Sequence, residues 1–264
     1  MSRAQANGVD LYYERWGEGP PLLFLNGSGS SIETSELLIK LFTSDFEVLV
    51  HDQRGLGESE IPDGPYTMAD YAADAAALLD HVGWDSARVV GVSFGGMVAQ
   101  ELAVTWPQRV DRLALLCTSP GGVGGASYPL HELTQLSEPE RNGMGTQLLD
   151  SRFTPEWLAA HPGDRALVEM MAARRSGTKS SDQLRGEELQ LAARSRHDVC
   201  DRLQRITSPT LVACGRFDGI APPENGEAIA ARVESAELKL YDGGHAFFAQ
   251  DPAALPDVIG FLAG

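Results

Sequence analysis

The sequence contains few cysteines, only three among 264 residues, and they stand far apart at positions 117, 200 and 214. An odd and scattered set lacks both the paired spacing of a metal site and the even count of a disulfide framework. We therefore expect Cys117, Cys200 and Cys214 to be free, buried thiols in a reducing compartment. A chain of this length can bury a large core without a disulfide or a metal.

Long apolar runs are also absent from the chain. No stretch approaches the roughly 18 apolar residues that a membrane-spanning helix requires. The first residues, Met-Ser-Arg-Ala-Gln-Ala-Asn-Gly, lack the apolar core of a signal peptide. The cytoplasm is therefore the expected location.

Positive charge is scarce as well. The chain has 21 lysines and arginines against 37 aspartates and glutamates, and its formal net charge is −16. Binding to nucleic acid or to an anionic membrane depends on cationic side chains that neutralise phosphates. We therefore expect neither nucleic acid nor a membrane as a partner, and the sequence leaves a monomer or a homodimer open.

Short apolar runs alternate with helical patterns along most of the chain. One helix begins with a capping box at Thr67 and Asp70 and ends at Gly83, and another follows Ser93 and ends before Pro107. This alternation predicts an α/β fold with a mostly parallel sheet flanked by helices on both faces. The predicted strands are residues 11–13, 22–25, 46–50, 88–92, 113–117, 210–214 and 238–241.

The alternation stops between residues 121 and 205. A glycine-rich stretch, Gly121 to Gly125, is followed by helical patterns that begin at Thr154 and cover residues 166–175 and 184–194. We predict that residues 1–120 and 206–264 form the core domain, and that residues 121–205 form an inserted helical segment, hereafter the cap. The glycine-rich stretch is expected to be a flexible lead into the cap.

A serine stands between two glycines in Gly91-Val-Ser93-Phe-Gly95, directly after a predicted strand and directly before a helix. A sharp turn of this kind holds the serine in a strained conformation, and small neighbours let the backbones approach one another. The Ser93 hydroxyl would lie at the carboxyl edge of the sheet, where ligands of α/β proteins bind. The motif therefore predicts that Ser93 is a nucleophile.

A serine hydroxyl needs a neighbouring base, and the base needs an acid that fixes its tautomer. Where the serine lies in such a turn between a strand and a helix, the order of the three residues along the chain is serine, acid, histidine. His245 follows the last predicted strand and is assigned as the general base, and Asp218 follows the strand before it and is assigned as the acid; Asp242 and Glu224 are the alternative carboxylates. The remaining histidines are interpreted as structural or surface groups, namely His51, His81, His131, His161 and His197.

Negative charge that develops on a carbonyl oxygen must meet preset N–H donors, which form an oxyanion hole. We assign the backbone N–H groups of Phe94, which follows the nucleophile, and of Ser28, which lies in the loop after the strand at residues 22–25. The remaining residues assigned to substrate binding are Asn26, Gly27, Gly29 and Phe217.

Five segments together resemble the α/β-hydrolase superfamily over nearly the whole chain. They are residues 17–27 (Gly-Glu-Gly-Pro-Pro-Leu-Leu-Phe-Leu-Asn-Gly), 52–59 (Asp-Gln-Arg-Gly-Leu-Gly-Glu-Ser), the serine motif, 215–218 (Gly-Arg-Phe-Asp) and 243–245 (Gly-Gly-His). The resemblance implies an α/β-hydrolase fold and a triad of Ser93, Asp218 and His245. It also implies that Arg54 and Ser59 support a loop through hydrogen bonds.

The loop at residues 26–29 departs from the usual family pattern, because Asn26 stands where members usually carry histidine. Within the superfamily, this asparagine and residues 95–100 (Gly-Gly-Met-Val-Ala-Gln) are similar to 3-oxoadipate enol-lactonases. Carbon–carbon-bond hydrolases usually have proline and tryptophan where Ser30 and Ala246 stand. Cofactor-free haloperoxidases use the same triad.

These observations indicate a serine hydrolase that cleaves a carboxylic ester or an enol-lactone of a small-molecule substrate through an acyl-enzyme on Ser93, without cofactor or metal. The alternatives are a cofactor-free haloperoxidase or perhydrolase, a carbon–carbon-bond hydrolase, and a ligand-binding protein on a hydrolase scaffold. The cap should cover the serine with apolar residues drawn from Tyr128, Phe153, Trp157, Met170 and Met171. Its basic residues are either partners for a substrate carboxylate or solvated, namely Arg174, Arg175, Lys179, Arg194 and Arg196.

Overall fold

Across residues 2–175 and 179–264, which the computed structural model describes, eight strands form one sheet in the order β1-β2-β4-β3-β5-β6-β7-β8. β2 is antiparallel to β1 and β4, and every other neighbouring pair is parallel. The strands are β1 (Ser2–Ala6), β2 (Val9–Trp16), β3 (Pro21–Leu25), β4 (Glu47–His51), β5 (Ala87–Val92), β6 (Val110–Leu116), β7 (Thr210–Gly215) and β8 (Ala236–Tyr241).

Helices cover both faces of this sheet and fill the segment between β6 and β7. The described α-helices are α1 (Ile32–Lys40), α2 (Met68–Val82), α3 (Phe94–Thr105), α4 (Glu138–Leu149), α5 (Pro155–Ala160), α6 (Pro162–Arg175), α7 (Ser181–Ser195), α8 (Pro223–Ala230), α9 (Phe247–Gln250) and α10 (Ala254–Ala263). Short 3₁₀ helices span Pro107–Arg109, Gly122–Gly124, Leu130–Gln135 and Cys200–Arg205. No described helix combines the length and apolar character needed to cross a bilayer.

The two faces of the sheet carry separate hydrophobic clusters. In β3, Leu23 and Leu25 pack in the cluster that contains α2 and α3. Leu22 and Phe24 pack in the opposite cluster with α1 and α10. Successive side chains of a strand point to opposite faces, so a strand that is apolar throughout must be covered on both sides. This pattern produces the predicted α/β fold.

Most predicted elements are present with small differences in their ends. The capping box at Thr67 and Asp70 is confirmed, and Gly83 ends α2 in the left-handed region with φ 77°. The helix expected over 166–175 begins four residues earlier, at Pro162, and the one expected from 184 begins at Ser181. Apolar periodicity starts later than the helices do, because their first turns are polar.

Three parts of the sequence prediction were incomplete or wrong. β1 was not predicted, because Ala4 and Ala6 are its only buried residues and alanine gives a weak apolar signal. The helices α1, α4, α8, α9 and α10 were also not predicted. The glycine-rich stretch is a packed turn instead of a flexible lead: Gly121 pairs with Asp198 in an isolated β-bridge, and Gly124 is buried. The division into a core and a cap stays a prediction, although four described helices, α4 to α7, do lie between β6 and β7.

The three cysteines are free and buried, as expected. Arg54 forms a buried ion pair with Asp74, at 2.6 Å for each of two contacts. The Ser59 hydroxyl donates to the Asp52 carbonyl oxygen at 2.5 Å and accepts the Tyr12 N–H at 2.9 Å. These contacts confirm that Arg54 and Ser59 support the loop after β4.

We predict a loss of stability at mildly acidic pH that originates at His51. Burial lowers the pKa of His51 to about 4, whereas the pKa of a histidine in an unfolded chain is about 6.5. The stabilising contribution of neutral His51 is complete above the unfolded pKa of about 6.5. It is lost as the pH falls from there to the folded pKa of about 4, because in this range only the unfolded chain takes up the proton. Within this range, the contribution of His51 to the free energy of unfolding should fall by up to about 1.4 kcal/mol per pH unit. Burial also lowers the pKa of His197 to about 4, so this histidine adds a fall of the same sign.

Urea unfolding followed by circular dichroism, at about pH 7 and about pH 5, measures this slope. His51→Gln should show a smaller fall in the free energy of unfolding between the two conditions than the wild type. The control is His81→Gln at an exposed position, which should keep the wild-type slope. An unchanged slope in His51→Gln would contradict the assignment.

Candidate active site

Ser93 occupies the turn between β5 and α3. Its backbone has φ 54° and ψ −112°, a conformation that a residue with a Cβ rarely adopts. The surrounding structure holds it there: the Ser93 N–H donates to the Leu116 carbonyl oxygen at 2.8 Å, and the Thr118 hydroxyl donates to the Ser93 carbonyl oxygen at 2.8 Å. The strained turn predicted from the sequence is therefore present.

The two glycines of the serine motif are required by close backbone contacts. A Cβ on Gly91 would lie 2.7 Å from the Cα of Gly96, and one on Gly95 would lie 2.7 Å from the Asn26 carbonyl oxygen. Both separations are too short for a real side-chain carbon. The start of α3 can approach the ends of β3 and β5 only because these positions lack side chains.

Ser93, His245 and Asp218 form a continuous chain of hydrogen bonds. Ser93 Oγ lies 3.0 Å from His245 Nε2, and His245 Nδ1 lies 2.8 Å from Asp218 Oδ2. The other carboxylate oxygen, Asp218 Oδ1, accepts the backbone N–H groups of Ile220 and Ala221, each at 2.8 Å. The structure thus brings the three predicted residues together from the ends of β5, β7 and β8.

Burial and backbone contacts hold the acid and the base in place. The Asp218 side chain is fully buried and that of His245 is 14% exposed. The backbone N–H of His245 donates to the carbonyl oxygen of Leu149, the last residue of α4, at 2.6 Å. The alternative carboxylates, Asp242 and Glu224, are both exposed, and Asp242 pairs with Arg152 at 2.7 Å.

The loop of residues 26–29 follows β3 and lies beside the serine. A Cβ on Gly27 would stand 3.7 Å from Ser93 Cβ. The Gln53 side-chain amide donates to the Asn26 carbonyl oxygen at 2.8 Å. Phe94 begins α3, where backbone N–H groups have no partner within the helix. The assignment of the Ser28 and Phe94 N–H groups to an oxyanion hole stays a prediction.

A cavity of about 670 Å³ opens onto Ser93 and His245 and includes every residue of the 26–29 loop. This volume is typical of sites that hold a small organic molecule. The apolar lining comes from the core and the cap and includes Leu37, Leu41, Val92, Leu130, Leu133, Leu148, Leu149, Leu167, Met170, Met171, Leu191, Ile220, Phe248 and Leu255. A largely apolar cavity beside the serine can hold a hydrocarbon chain.

Several predicted lining residues lie elsewhere. Phe217 does not line the cavity, because the guanidinium of Arg152 covers its ring at 3.9 Å from the ring centroid. Tyr128 does not line it either. Phe153 and Trp157 do not line it, but they pack against Leu149 and Ala246, which do. Of the apolar cap residues singled out from the sequence, Met170 and Met171 reach the cavity.

The basic residues of the cap do not form one charged patch in the described part of the structure. Lys179 lines the cavity but pairs with Glu187 at 2.6 Å. Arg194 is buried away from the cavity lining and donates to the Tyr128 carbonyl oxygen at 2.8 Å, and burial lowers its pKa to about 10. Arg196 is exposed, and the side chains of Arg174 and Arg175 lie outside the described residues.

His51 and His197 are buried and do not line the cavity, in agreement with their interpretation as structural groups. Burial lowers the pKa of each to about 4, so both are neutral near neutral pH. His81, His131 and His161 are exposed, as expected.

One residue that the sequence did not indicate stands close to the candidate site. Gln190 of α7 is fully buried and lines the cavity, and its Oε1 accepts the Gly29 N–H at 2.8 Å. Nothing in the sequence pattern distinguishes Gln190 from the other polar residues of this helix. Its contact exists only because the fold brings residues 29 and 190 together.

Comparison with known proteins agrees with the fold. The family model described as "alpha/beta hydrolase fold" matches residues 20–252. A poly(3-hydroxyalkanoate) depolymerase of Ectopseudomonas oleovorans is 31% identical over 243 residues, which cover 92% of this chain and 84% of that protein. A 3-oxoadipate enol-lactonase of Acinetobacter baylyi is 26% identical over 251 residues, which cover 94% of this chain and 91% of that protein.

Among solved structures, the crystal structure of the enol-lactonase from Burkholderia xenovorans LB400 superposes with a TM-score of 0.82 and covers 100% of both chains at 23% identity. At that identity the likeness concerns the fold.

We predict that Gly95→Ala destabilises the protein, because its Cβ would collide with backbone atoms of Leu25 and Asn26. Forcing an extra methyl group into a packed site lowers the free energy of unfolding by about 1–3 kcal/mol. Gly143→Ala is the control, since this exposed glycine of α4 has nothing within 4 Å of an added Cβ. Chemical denaturation should show Gly143→Ala as stable as the wild type or more so, and equal stability of Gly95→Ala would contradict the close contact.

Proposed function

The chain belongs to the α/β-hydrolase family, and on that basis we propose that it is a serine hydrolase that cleaves a carboxylic ester or an enol-lactone through an acyl-enzyme on Ser93. The observation that carries the proposal is the chain of hydrogen bonds from Ser93 through His245 to Asp218. It supports a nucleophile, a base within reach of its proton, and an acid that orients the base.

The reaction proceeds in two halves. Ser93 Oγ attacks the carbonyl carbon while its proton passes to His245 Nε2, and the histidine returns that proton to the leaving oxygen as the ester bond breaks. Water then gives a proton to the same nitrogen and attacks the acyl carbon. The Ser93 oxygen leaves with that proton, and the carboxylic acid is released. Asp218 keeps His245 in the tautomer whose Nε2 accepts, and stabilises the imidazolium.

The oxyanion that forms in each half needs donors. The backbone N–H groups of Ser28 and Phe94 are the proposed pair, and a donor of this type is typically worth about 3–4 kcal/mol in the transition state. The proposed chemistry uses only side chains, backbone and water, so it requires no cofactor or metal. The cap would cover the serine and exclude bulk water.

The apolar lining and the names of the relatives support an ester substrate. Poly(3-hydroxyalkanoates) and enol-lactones are both esters, and they appear in the names of two similar proteins. The leucines and methionines of the cavity suit the acyl chain of such a substrate. The alternatives are a haloperoxidase or perhydrolase, a carbon–carbon-bond hydrolase and a ligand-binding protein. Each would use the same contacts of Ser93, His245 and Asp218, so each stays a prediction.

We predict that Ser93→Ala abolishes hydrolysis of chromogenic acyl esters and of an enol-lactone. Without the hydroxyl no acyl-enzyme forms, and kcat should fall by at least about 10³-fold. Ser44→Ala is the control at an exposed position that does not line the cavity, and it should retain wild-type turnover. A folded Ser93→Ala protein that still cleaves these substrates would overturn the mechanism.

We also predict that Asp218→Asn lowers kcat for ester hydrolysis by about 10⁴-fold. The two backbone N–H groups that bind Oδ1 would select the amide oxygen at that position. The amide NH₂ would then face His245 Nδ1, so the imidazole proton would sit on Nε2 and block acceptance of the serine proton. Asp242→Asn, an exposed matched control, should keep wild-type kcat, and equal losses in the two variants would contradict the role of Asp218.

A further inference from the structure

The cap holds the loop that carries Asp218 through a backbone contact. In this loop, residues 217–221 and hereafter the acid loop, the Ile220 carbonyl oxygen accepts the Tyr128 N–H of the cap at 2.7 Å. Ile220 also donates its own N–H to Asp218 Oδ1 at 2.8 Å. Only one residue therefore separates Tyr128 from the carboxylate that faces His245.

Arg194 of α7 binds the other side of Tyr128. Its Nη1 donates to the Tyr128 carbonyl oxygen at 2.8 Å. A continuous path of hydrogen bonds thus runs from Arg194 through Tyr128 and Ile220 to Asp218. Arg194 is 5% exposed and does not line the cavity. It can therefore act on the candidate site only through this path or through its charge.

The Arg194 guanidinium is a buried cation that donates to no carboxylate among the described residues. Its Nη1 contacts a backbone carbonyl, and its Nε and Nη2 have no hydrogen-bond partner in the described structure. Burial lowers the pKa of Arg194 to about 10, and the negative charge of Asp218 opposes that shift. The side chain is therefore charged near neutral pH and within electrostatic reach of Asp218. A buried charge without a close partner destabilises a fold, so stability alone does not explain this arginine.

We propose that Arg194 is a positioning residue for the triad: it fixes Tyr128, and through Tyr128 the acid loop, so that Asp218 stays in place against His245. It touches neither the substrate nor the reacting atoms. Neither role expected from the sequence, a solvated side chain or a partner for a substrate carboxylate, fits this position. The inference rests on the proposed hydrolase function.

Arg194→Met removes the charge and the donor but keeps a long side chain. The variant should fold, because the Tyr128 carbonyl oxygen keeps a second donor, the Leu130 N–H at 2.8 Å. With a chromogenic acyl ester, kcat should fall by about tenfold or more, because small misplacements of catalytic groups lower the rate steeply. KM should stay within about twofold of the wild-type value, since Arg194 does not line the cavity.

Two further variants are the controls. Arg194→Lys keeps a positive charge and a donor and should hold kcat within about threefold of the wild type. Arg196→Met removes the same charge at an exposed position at the end of the same helix, and should leave kcat unchanged. An unchanged kcat in Arg194→Met, or an equal loss in Arg194→Lys, would contradict the proposal.

Arg194→Gln replaces Arg194→Met if that variant does not fold. Its amide ends two atoms short of the Nη1 position, so it also loses the charge and the contact with Tyr128, and the same fall in kcat is expected. Failure of both variants to fold, followed by circular dichroism, would overturn the positioning role in favour of a purely structural one.

A measurement without substrate separates failure of this inference from failure of the proposed function. The proton on His245 Nδ1, which faces Asp218 Oδ2 at 2.8 Å, should give a low-field proton NMR signal that Asp218→Asn lacks. Arg194→Met should shift or broaden this signal, and Arg196→Met should leave it at its wild-type position. A shifted signal supports the positioning role even if the wild type hydrolyses no ester. An unchanged signal overturns it, even if every ester is hydrolysed at Ser93.

Discussion

The candidate site depends on one constraint, the close backbone packing at the turn after β5. The left-handed conformation of Ser93 is held by the Leu116 carbonyl and the Thr118 hydroxyl, and Gly91 and Gly95 allow β3, β5 and α3 to meet there. Parallel strands have their carboxyl ends at the same edge of the sheet. The loops after β7 and β8, which carry Asp218 and His245, therefore lie next to Ser93.

The cap contributes to the site as well as to the cavity. Gln190 binds the loop of residues 26–29, and the Leu149 carbonyl of α4 accepts the His245 N–H. On the acid side, the Tyr128 N–H donates to the Ile220 carbonyl at 2.7 Å, and Ile220 in turn donates to Asp218. A displacement of α4 or α7 would therefore shift His245 or the loop of residues 26–29, so the position of the cap and the geometry of the candidate site are coupled.

The sequence was most informative where chemistry or steric packing restricts the residue type. The serine turn, the order of Ser93, Asp218 and His245, and the buried strands all follow from such restrictions. It was least informative for β1, whose buried residues are alanines, and for α4, whose residues 139–143 are exposed and carry no apolar period. Contacts across long distances in the chain, such as Gln190 to Gly29 or Arg152 over Phe217, leave no local pattern, and they decided which predicted residues reach the cavity.

The central claim is that the packed turn makes Ser93 a nucleophile with His245 as its base. The most direct measurement is reaction of the folded protein with a fluorophosphonate, followed by intact mass and peptide mapping. The account predicts one phosphonyl group per chain, attached to Ser93, and no labelling of Ser93→Ala. A folded wild-type protein that remains unlabelled, or that is labelled at another residue, would contradict it.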